Sequence, residues 1–251
     1  MRLNVASLFP QSPRCAFCSR TAGRLAHDMP QGVVLCDACY AEVGWITAPR
    51  CEQCGRQLDA HMPVSEEGGY CADCLRFQQL FAQTGLVKNR AVVQYSPLAQ
   101  DVVSLFKYRG RETLAVPCGK LMAKRVQDEY RDETIRAVTF VPLHPRREAE
   151  RGFNQAERLA NVIGSELRLP VYHLLQRTKD TSKQSKRSRH SRLNAMRDAF
   201  RTRLSMERNF YRQGTFLLVD DVYTTGTTLR ACASVLKEAG VARVLAVTFA
   251  R

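Results

Sequence analysis

Past residue 80, apolar positions switch repeatedly between short continuous runs and a spacing of three to four. Val92-Val-Gln-Tyr95 reads as a strand, and Leu98 to Tyr108 as an amphipathic helix with Val102, Leu105 and Phe106 on its apolar face. Glu112 to Tyr130 has helical spacing but contains Pro117, which predicts a break or restart. Ala137-Val-Thr-Phe-Val-Pro-Leu143 is a buried-strand pattern that ends in a proline-punctuated loop. Asn154 to Leu167 returns to helical spacing through Ala156, Leu159, Ala160 and Ile163, and Val171 to Leu175 has the length of a short strand. Phe216 to Val219 is the clearest buried strand. A helix from Thr227 to Ala239 follows, which Gly240 ends as a C-cap would, and Val244 to Phe249 is a last strand. Strands alternating with helices predict an α/β fold, a mainly parallel sheet flanked by helices. Ligands in such sheets sit beyond the carboxyl ends of the strands, which points to Asp220 and to the loop after Leu143.

The first 75 residues follow another pattern. They carry few long apolar stretches and contain a repeat: Cys-Ala-Phe-Cys-Ser-Arg and Cys-Glu-Gln-Cys-Gly-Arg open its halves, and Cys-Asp-Ala-Cys and Cys-Ala-Asp-Cys close them. The organisation predicted is a small Cys-rich module over residues 1–80, then the α/β domain over 81–251. No apolar run approaches the ~20 residues of a membrane span, and the N-terminus is too short and interrupted for a signal peptide. These features place the chain in the cytoplasm, where paired cysteines bind metal more often than they form disulfides.

Cys15, Cys18, Cys36 and Cys39 form a Cys-x2-Cys-x17-Cys-x2-Cys array, and Cys51, Cys54, Cys71 and Cys74 form the same array with sixteen intervening residues. Both spacings match a structural four-cysteine zinc site, whose four thiolates leave no open position for catalysis. Two zinc ions are expected, paired sequentially, with a cross-braced arrangement left open. His27 and His61 are spare ligands, and Cys118 and Cys232 read as buried spectators.

Charge changes the picture further. The chain carries a formal +14 among 251 residues. Between Arg177 and Arg212, twelve Lys/Arg stand against three acids, a net of +9. Such a balance points to an anionic partner, either the phosphates of a small molecule or nucleic acid.

The segment Val219-Asp220-Asp221-Val-Tyr-Thr224-Thr225-Gly226-Thr227-Thr228 carries the sharpest chemistry. It sets two acids at a strand end and a hydroxyl-rich turn before a helix. A helix N-terminus offers unpaired backbone N–H groups and a positive dipole end, and threonine hydroxyls add donors, so the turn can cradle a phosphate monoester. Gly226 lets the backbone approach or take a positive φ. The acids suit sugar hydroxyls, met directly or through Mg2+. Ribose 5-phosphate fits this arrangement, and the absence of a Walker lysine excludes a P-loop. The bland alternative is an acid pair followed by a well-capped helix.

These residues resemble the phosphoribosyl pyrophosphate (PRPP) signature of type I phosphoribosyltransferases. Phe106-Lys-Tyr-Arg-Gly110, Val141-Pro-Leu-His-Pro145, Arg151-Gly-Phe-Asn-Gln-Ala156 and the amino-terminal cysteines narrow the resemblance to the ComF family of competence-associated, phosphoribosyltransferase-like proteins. The resemblance implies that Asp220 and Asp221 are the catalytic carboxylates and hold the ribose hydroxyls. It implies that Thr224, Thr225, Gly226, Thr227 and Thr228 hold the 5-phosphate, and that the loop with His144 and Arg146 meets the pyrophosphate with Mg2+. A loop histidine, however, is more often a hydrogen-bonded bystander than a base. Thr178 to Arg192 would be the loop that closes over PRPP, recognisable in Arg177-Thr178, Thr181 and Gln184. The same basic run could neutralise single-stranded DNA, or be a solvated charged loop. The family further implies work in uptake or processing of transforming single-stranded DNA, with protein partners of the competence machinery. The alternative is an active phosphoribosyltransferase of nucleotide metabolism or salvage, whose acceptor these residues do not name.

Overall fold

The computed structural model describes residues 13–22, 29–58, 69–81, 84–108, 110–179, 197–203 and 214–251. Two short helices, α1 (Asp37–Glu42) and α2 (Ala72–Phe81), belong to the Cys-rich part. Then come β1 (Leu86–Val93), α3 (Pro97–Tyr108), a 3-10 turn over Glu112–Leu114, α4 (Ala115–Glu129) and β2 (Ile135–Phe140). These are followed by α5 (Pro145–Arg151), α6 (Gln155–Leu167), β3 (Leu175–Arg177) and β4 (Phe200–Thr202). β5 (Thr215–Val222), α7 (Thr227–Glu238) and β6 (Arg243–Ala250) complete the order.

Four strands form one parallel sheet in the order β1-β6-β5-β2. β5 and β6 lie at its centre, and their continuous apolar runs are what a strand covered on both faces requires. α4 and α6 pack together against one region of the sheet, and α7 packs on β1, β5 and β6. Phe216, Leu217, Leu218, Val244, Leu245 and Val247 are wholly buried between these layers. β3 and β4 form a separate antiparallel hairpin.

The sequence pattern and the structure part at three places, and at a fourth, Pro117, the structure supplies the restart that the pattern calls for. β1 begins at Leu86, six residues before the apolar run suggests, because Lys88, Asn89 and Arg90 interrupt the pattern while lying in the strand. Pro117 falls in the first turn of α4, where its missing N–H has no intrahelical partner to lose, so the restart occurs at Ala115. The loop after Leu143 folds into α5, with Pro145 at its first position. Val171 makes only an isolated parallel bridge to Val138, and the short strand begins at Leu175.

Arg90 explains how a charged residue enters β1. It donates to Glu129 at 3.2 Å and to Glu52 at 2.9 Å, and Arg50 and Arg125 converge on the same Glu129 carboxylate. Burial opposes ionisation of Glu129, but Arg50 and its two companions outweigh it and hold the carboxyl below the ordinary range. This cluster ties the Cys-rich part to β1 and α4. Trp45 bridges Val93, and the Ile46 N–H donates to Val92 O at 3.0 Å, so the module's chain lies along the end of β1. Among the described residues no helix is long and apolar enough to cross a membrane.

Candidate functional site

Asp220 and Asp221 stand near the carboxyl end of β5 because the buried run Phe216–Val219 forces the strand through the core and delivers the next residues to the sheet edge. Asp221 is buried and ion-paired with Lys107 from the end of α3. Asp220 is half-buried, and its Oδ1 accepts the Asp221 N–H at 2.9 Å. Burial, with the Asp221 carboxylate beside it, pushes the Asp220 carboxyl well above the ordinary range. Burial also disfavours the Lys107 ammonium, but Asp221 overcomes this and holds its pKa above the usual value. An acid pair so arranged offers hard oxygen donors to a hydroxyl or a divalent cation.

Thr224 and Thr225 are exposed on the turn that leads into α7, and the Thr225 and Thr227 hydroxyls lie 2.9 Å apart. Gly226 caps α7 at φ +74°, and a Cβ there would meet the Tyr223 hydroxyl oxygen at 2.1 Å. The position requires glycine on both counts. A cleft of about 350 Å³ opens beside the acids; Thr224 and Thr228 line it, as do Lys107, Arg147, Arg151 and Gln155. Four cationic side chains, with Arg177 the fourth, face a cleft whose floor holds two carboxylates. Such a wall suits a polyanion.

His144 and Arg146 take other positions. The His144 ring accepts the Arg146 N–H at 3.3 Å and caps α5, while the Arg146 side chain is exposed and paired with Glu150 at 3.0 Å. His144 lines a neighbouring cavity of about 520 Å³ with His173 and Arg177. The cleft instead receives Arg147 and Arg151, one helical turn apart on α5. Their spacing of four was readable, but only once this segment is known to be helical. Gln155 is buried, with its Nε2 lacking a protein partner and Arg151 donating to its Oε1. The closing-loop expectation for Thr178 to Arg192 lies almost wholly outside the described residues, as does most of the basic run.

Cys15, Cys18, Cys36 and Cys39 bring their sulfurs within 4.8 Å of one another, and so do Cys51, Cys54, Cys71 and Cys74. The pairing is sequential, and the cross-braced alternative is excluded. Cys18 and Cys36 sulfurs lie 3.6 Å apart, Cys54 and Cys71 sulfurs 3.7 Å. A tetrahedral zinc with bonds of about 2.3 Å sets its sulfurs about 3.8 Å apart, so both sets fit the ion. Burial opposes ionisation of Cys15, yet backbone hydrogen bonds from Cys18, Cys36 and Phe17 bring its thiol down to about 7. Burial raises the Cys18 and Cys39 thiols instead, so metal binding would displace their protons. These are two zinc-binding sites of four cysteines each.

Comparison with known proteins follows the same division. The family described as "Phosphoribosyl transferase domain" matches residues 118–251, and "Double zinc ribbon domain" matches residues 5–75. The chain is 31% identical to Competence protein ComFC of Bacillus subtilis (strain 168) over 209 residues, 83% of this chain and 80% of that one. It is 26% identical to Competence protein F of Haemophilus influenzae over 84% of this chain and 87% of that one. It is 27% identical to DNA utilization protein YhgH of Escherichia coli (strain K12) over 77% and 80%.

Proposed function

We propose, from the premise that the chain belongs to the ComFC family of proteins with a phosphoribosyl transferase domain, that its cleft binds Mg2+–PRPP in the service of uptake or processing of transforming single-stranded DNA. One observation carries the ligand: an acid pair at the end of β5 and a threonine-rich helix N-terminus open on the same cationic cleft. Asp220 and Asp221 take the ribose hydroxyls, and the Thr224–Thr228 turn takes the 5-phosphate through backbone N–H groups and hydroxyls. Arg147 and Arg151 reach the pyrophosphate, with the backbone of the His144–Arg146 turn beside them. Mg2+, when bound, neutralises pyrophosphate charge, and the carboxylates of Asp220 and Asp221 are donors suited to it. Lys107 keeps Asp221 in place until ligand arrives.

The DNA part of the reading rests on charge, on exposed aromatics and on the names of the relatives. Tyr95 and Tyr108 are both exposed, and Arg151 lies over the Tyr108 ring at 5.1 Å, within reach of the cleft. Basic side chains with exposed rings suit single strands, whose bases stack while phosphates pair with cations. In this reading residues 1–80 and 81–251 are separate units of a cytoplasmic protein, and the first unit docks partners of the competence machinery.

Calorimetry with Mg2+–PRPP and then single-stranded DNA tests both parts. Wild type binds PRPP and Asp220→Ala/Asp221→Ala does not; equal binding by the two would remove the site from consideration. DNA binding falls steeply with salt. It is lost on charge reversal of Lys183, Lys186, Arg187 and Arg189, which lie outside the described residues. A second reading, pentosyl transfer, is favoured by Tyr95, an exposed ring that lines the same cleft as the acids and against which an acceptor would lie. In that reaction the C1–pyrophosphate bond breaks as an acceptor nucleophile bonds to C1. Pyrophosphate release surviving the double Asp variant would place it elsewhere.

A further inference from the structure

The two zinc sites stand in different relations to the cleft, and Arg251 makes the difference. Its Nη2 donates to Cys54 Sγ at 2.9 Å and its Nε to Cys54 O at 3.1 Å. Its guanidinium lies over the Tyr223 ring at 4.7 Å. Its backbone is fixed on both sides, the N–H donating to Val93 O at 3.0 Å and the carbonyl accepting from Tyr95 N at 2.8 Å. Tyr223 is buried, and its hydroxyl occupies the space where a side chain on Gly226 would stand. Gly226 is in turn the left-handed residue at the start of α7, and buried Arg230 donates to Thr225 O at 3.3 Å from one turn further on.

A continuous set of contacts therefore runs from a sulfur of the second site, through a guanidinium and a phenol ring, to the backbone hinge of the Thr224–Thr228 turn. A zinc-bound thiolate accepts a charge-assisted hydrogen bond, stronger than a thiol does. The ring face of Tyr223 attracts the same cation. The first site has no matching path among the described contacts: it meets the sheet through Phe17, edge-on to Phe249 at 6.1 Å, and the 3-10 turn after α3 through Ser19, which accepts from Arg111 at 2.7 Å.

We infer that the Cys51/Cys54/Cys71/Cys74 site positions the phosphate turn, with Arg251 and Tyr223 as the positioning residues between them. The ligand assumed is the one proposed above, but the geometry of the turn does not depend on it. Zinc in the second site and anion on the turn are thereby coupled, and the coupling is reciprocal.

The test uses the full zinc-loaded chain as wild type, Arg251→Met and Cys18→Ser. Arg251→Met keeps an apolar stem over Tyr223 and removes the charge and both donors. Native mass spectrometry counts zinc, hydrogen exchange follows the amides of residues 224–228, and a chelator competes for zinc with and without Mg2+–PRPP. Arg251→Met should retain two zinc ions while exchange at 224–228 quickens about ten-fold and PRPP binding weakens about ten-fold. PRPP should slow zinc loss from the second site in wild type and leave it unchanged in Arg251→Met, an effect that simple loss of stability does not produce. Cys18→Ser should lose one zinc and leave exchange at the turn as it was. Wild-type exchange in Arg251→Met would overturn the inference, as would equal softening of the turn by Cys18→Ser. If wild type binds no PRPP, the ligand reading fails while the exchange measurements still decide the coupling.

Discussion

The two zinc sites share a sequence pattern and differ in how they are seated. Cys18 and Cys36 of the first are only partly covered, whereas all four cysteines of the second are buried. The first is held to the sheet by a ring contact one residue away from a ligand. The second is held by its own knuckle. Asn89 of β1 donates to Cys54 O at 3.2 Å and to the Thr248 hydroxyl at 3.3 Å, and a Cβ on Gly55 would meet the Asn89 carbonyl at 2.7 Å. Polar contacts made by buried groups are costly to break, because the partner left behind has no water to turn to. The difference teaches that a duplicated metal motif need not give duplicated roles. One copy leaves two of its ligands partly exposed, and the other has all four within the core.

The largest expected effect tests this contrast directly. Cys54→Ser removes a structural zinc that contributes on the order of 10 kcal/mol, comparable to the roughly 5–15 kcal/mol stability of a whole domain. It should unseat β1 and leave no cooperative urea transition by circular dichroism. Cys18→Ser should keep the transition of the sheet and lose only one zinc. Equal losses would erase the distinction between the sites.

A middle-sized effect sharpens it. Glu129→Gln leaves Arg50, Arg90 and Arg125 without their shared carboxylate, and should cost about 3 kcal/mol in a urea melt. The pH dependence has a definite sign. Because the folded pKa of Glu129 is depressed, its contribution is present above the ordinary carboxylate range and disappears as pH falls through the folded value. Wild type and Glu129→Gln should therefore converge in acid.

The smallest effect lies at the cleft. Asp220 has a raised folded pKa, so the ligand-free protein loses stability as pH rises through it. Asp220→Asn should melt slightly higher than wild type at about pH 8 and match it below the ordinary carboxylate value of about 4. A variant that melts lower at both pH values would mean that Asp220 stabilises the empty cleft, the reverse of what its burial implies.

Much of the framework was legible because burial writes itself into local pattern. β5 and β6 are covered on both faces and read as unbroken apolar runs, and α3, α6 and α7 show their buried faces at helical spacing. Lys88, Asn89 and Arg90 hid the start of β1, since their partners Glu133, Cys54, Thr248, Glu52 and Glu129 lie far away in the chain. In the cleft, the acids and the threonine turn were contiguous and could be read together. Lys107, Arg151 and Gln155 fall within stretches that carried the family resemblance, but they come from separate helices, and no local pattern announces that they share a wall.

The sequence by itself determined the sheet-and-helix order, the four Cys-x2-Cys pairs and the acid pair followed by a phosphate-type turn. Each of these is a short-range pattern: a period, a spacing or a strand–turn–helix junction. Only the tertiary structure decided that the cysteines pair sequentially, that Arg147 and Arg151 rather than Arg146 face the cleft, and that Arg251 joins the second metal site to Tyr223. Those relations depend on contacts between residues far apart in the chain. A buried polar group there finds its partner through the packing of strands and helices, and no spacing along the chain encodes where that partner will be.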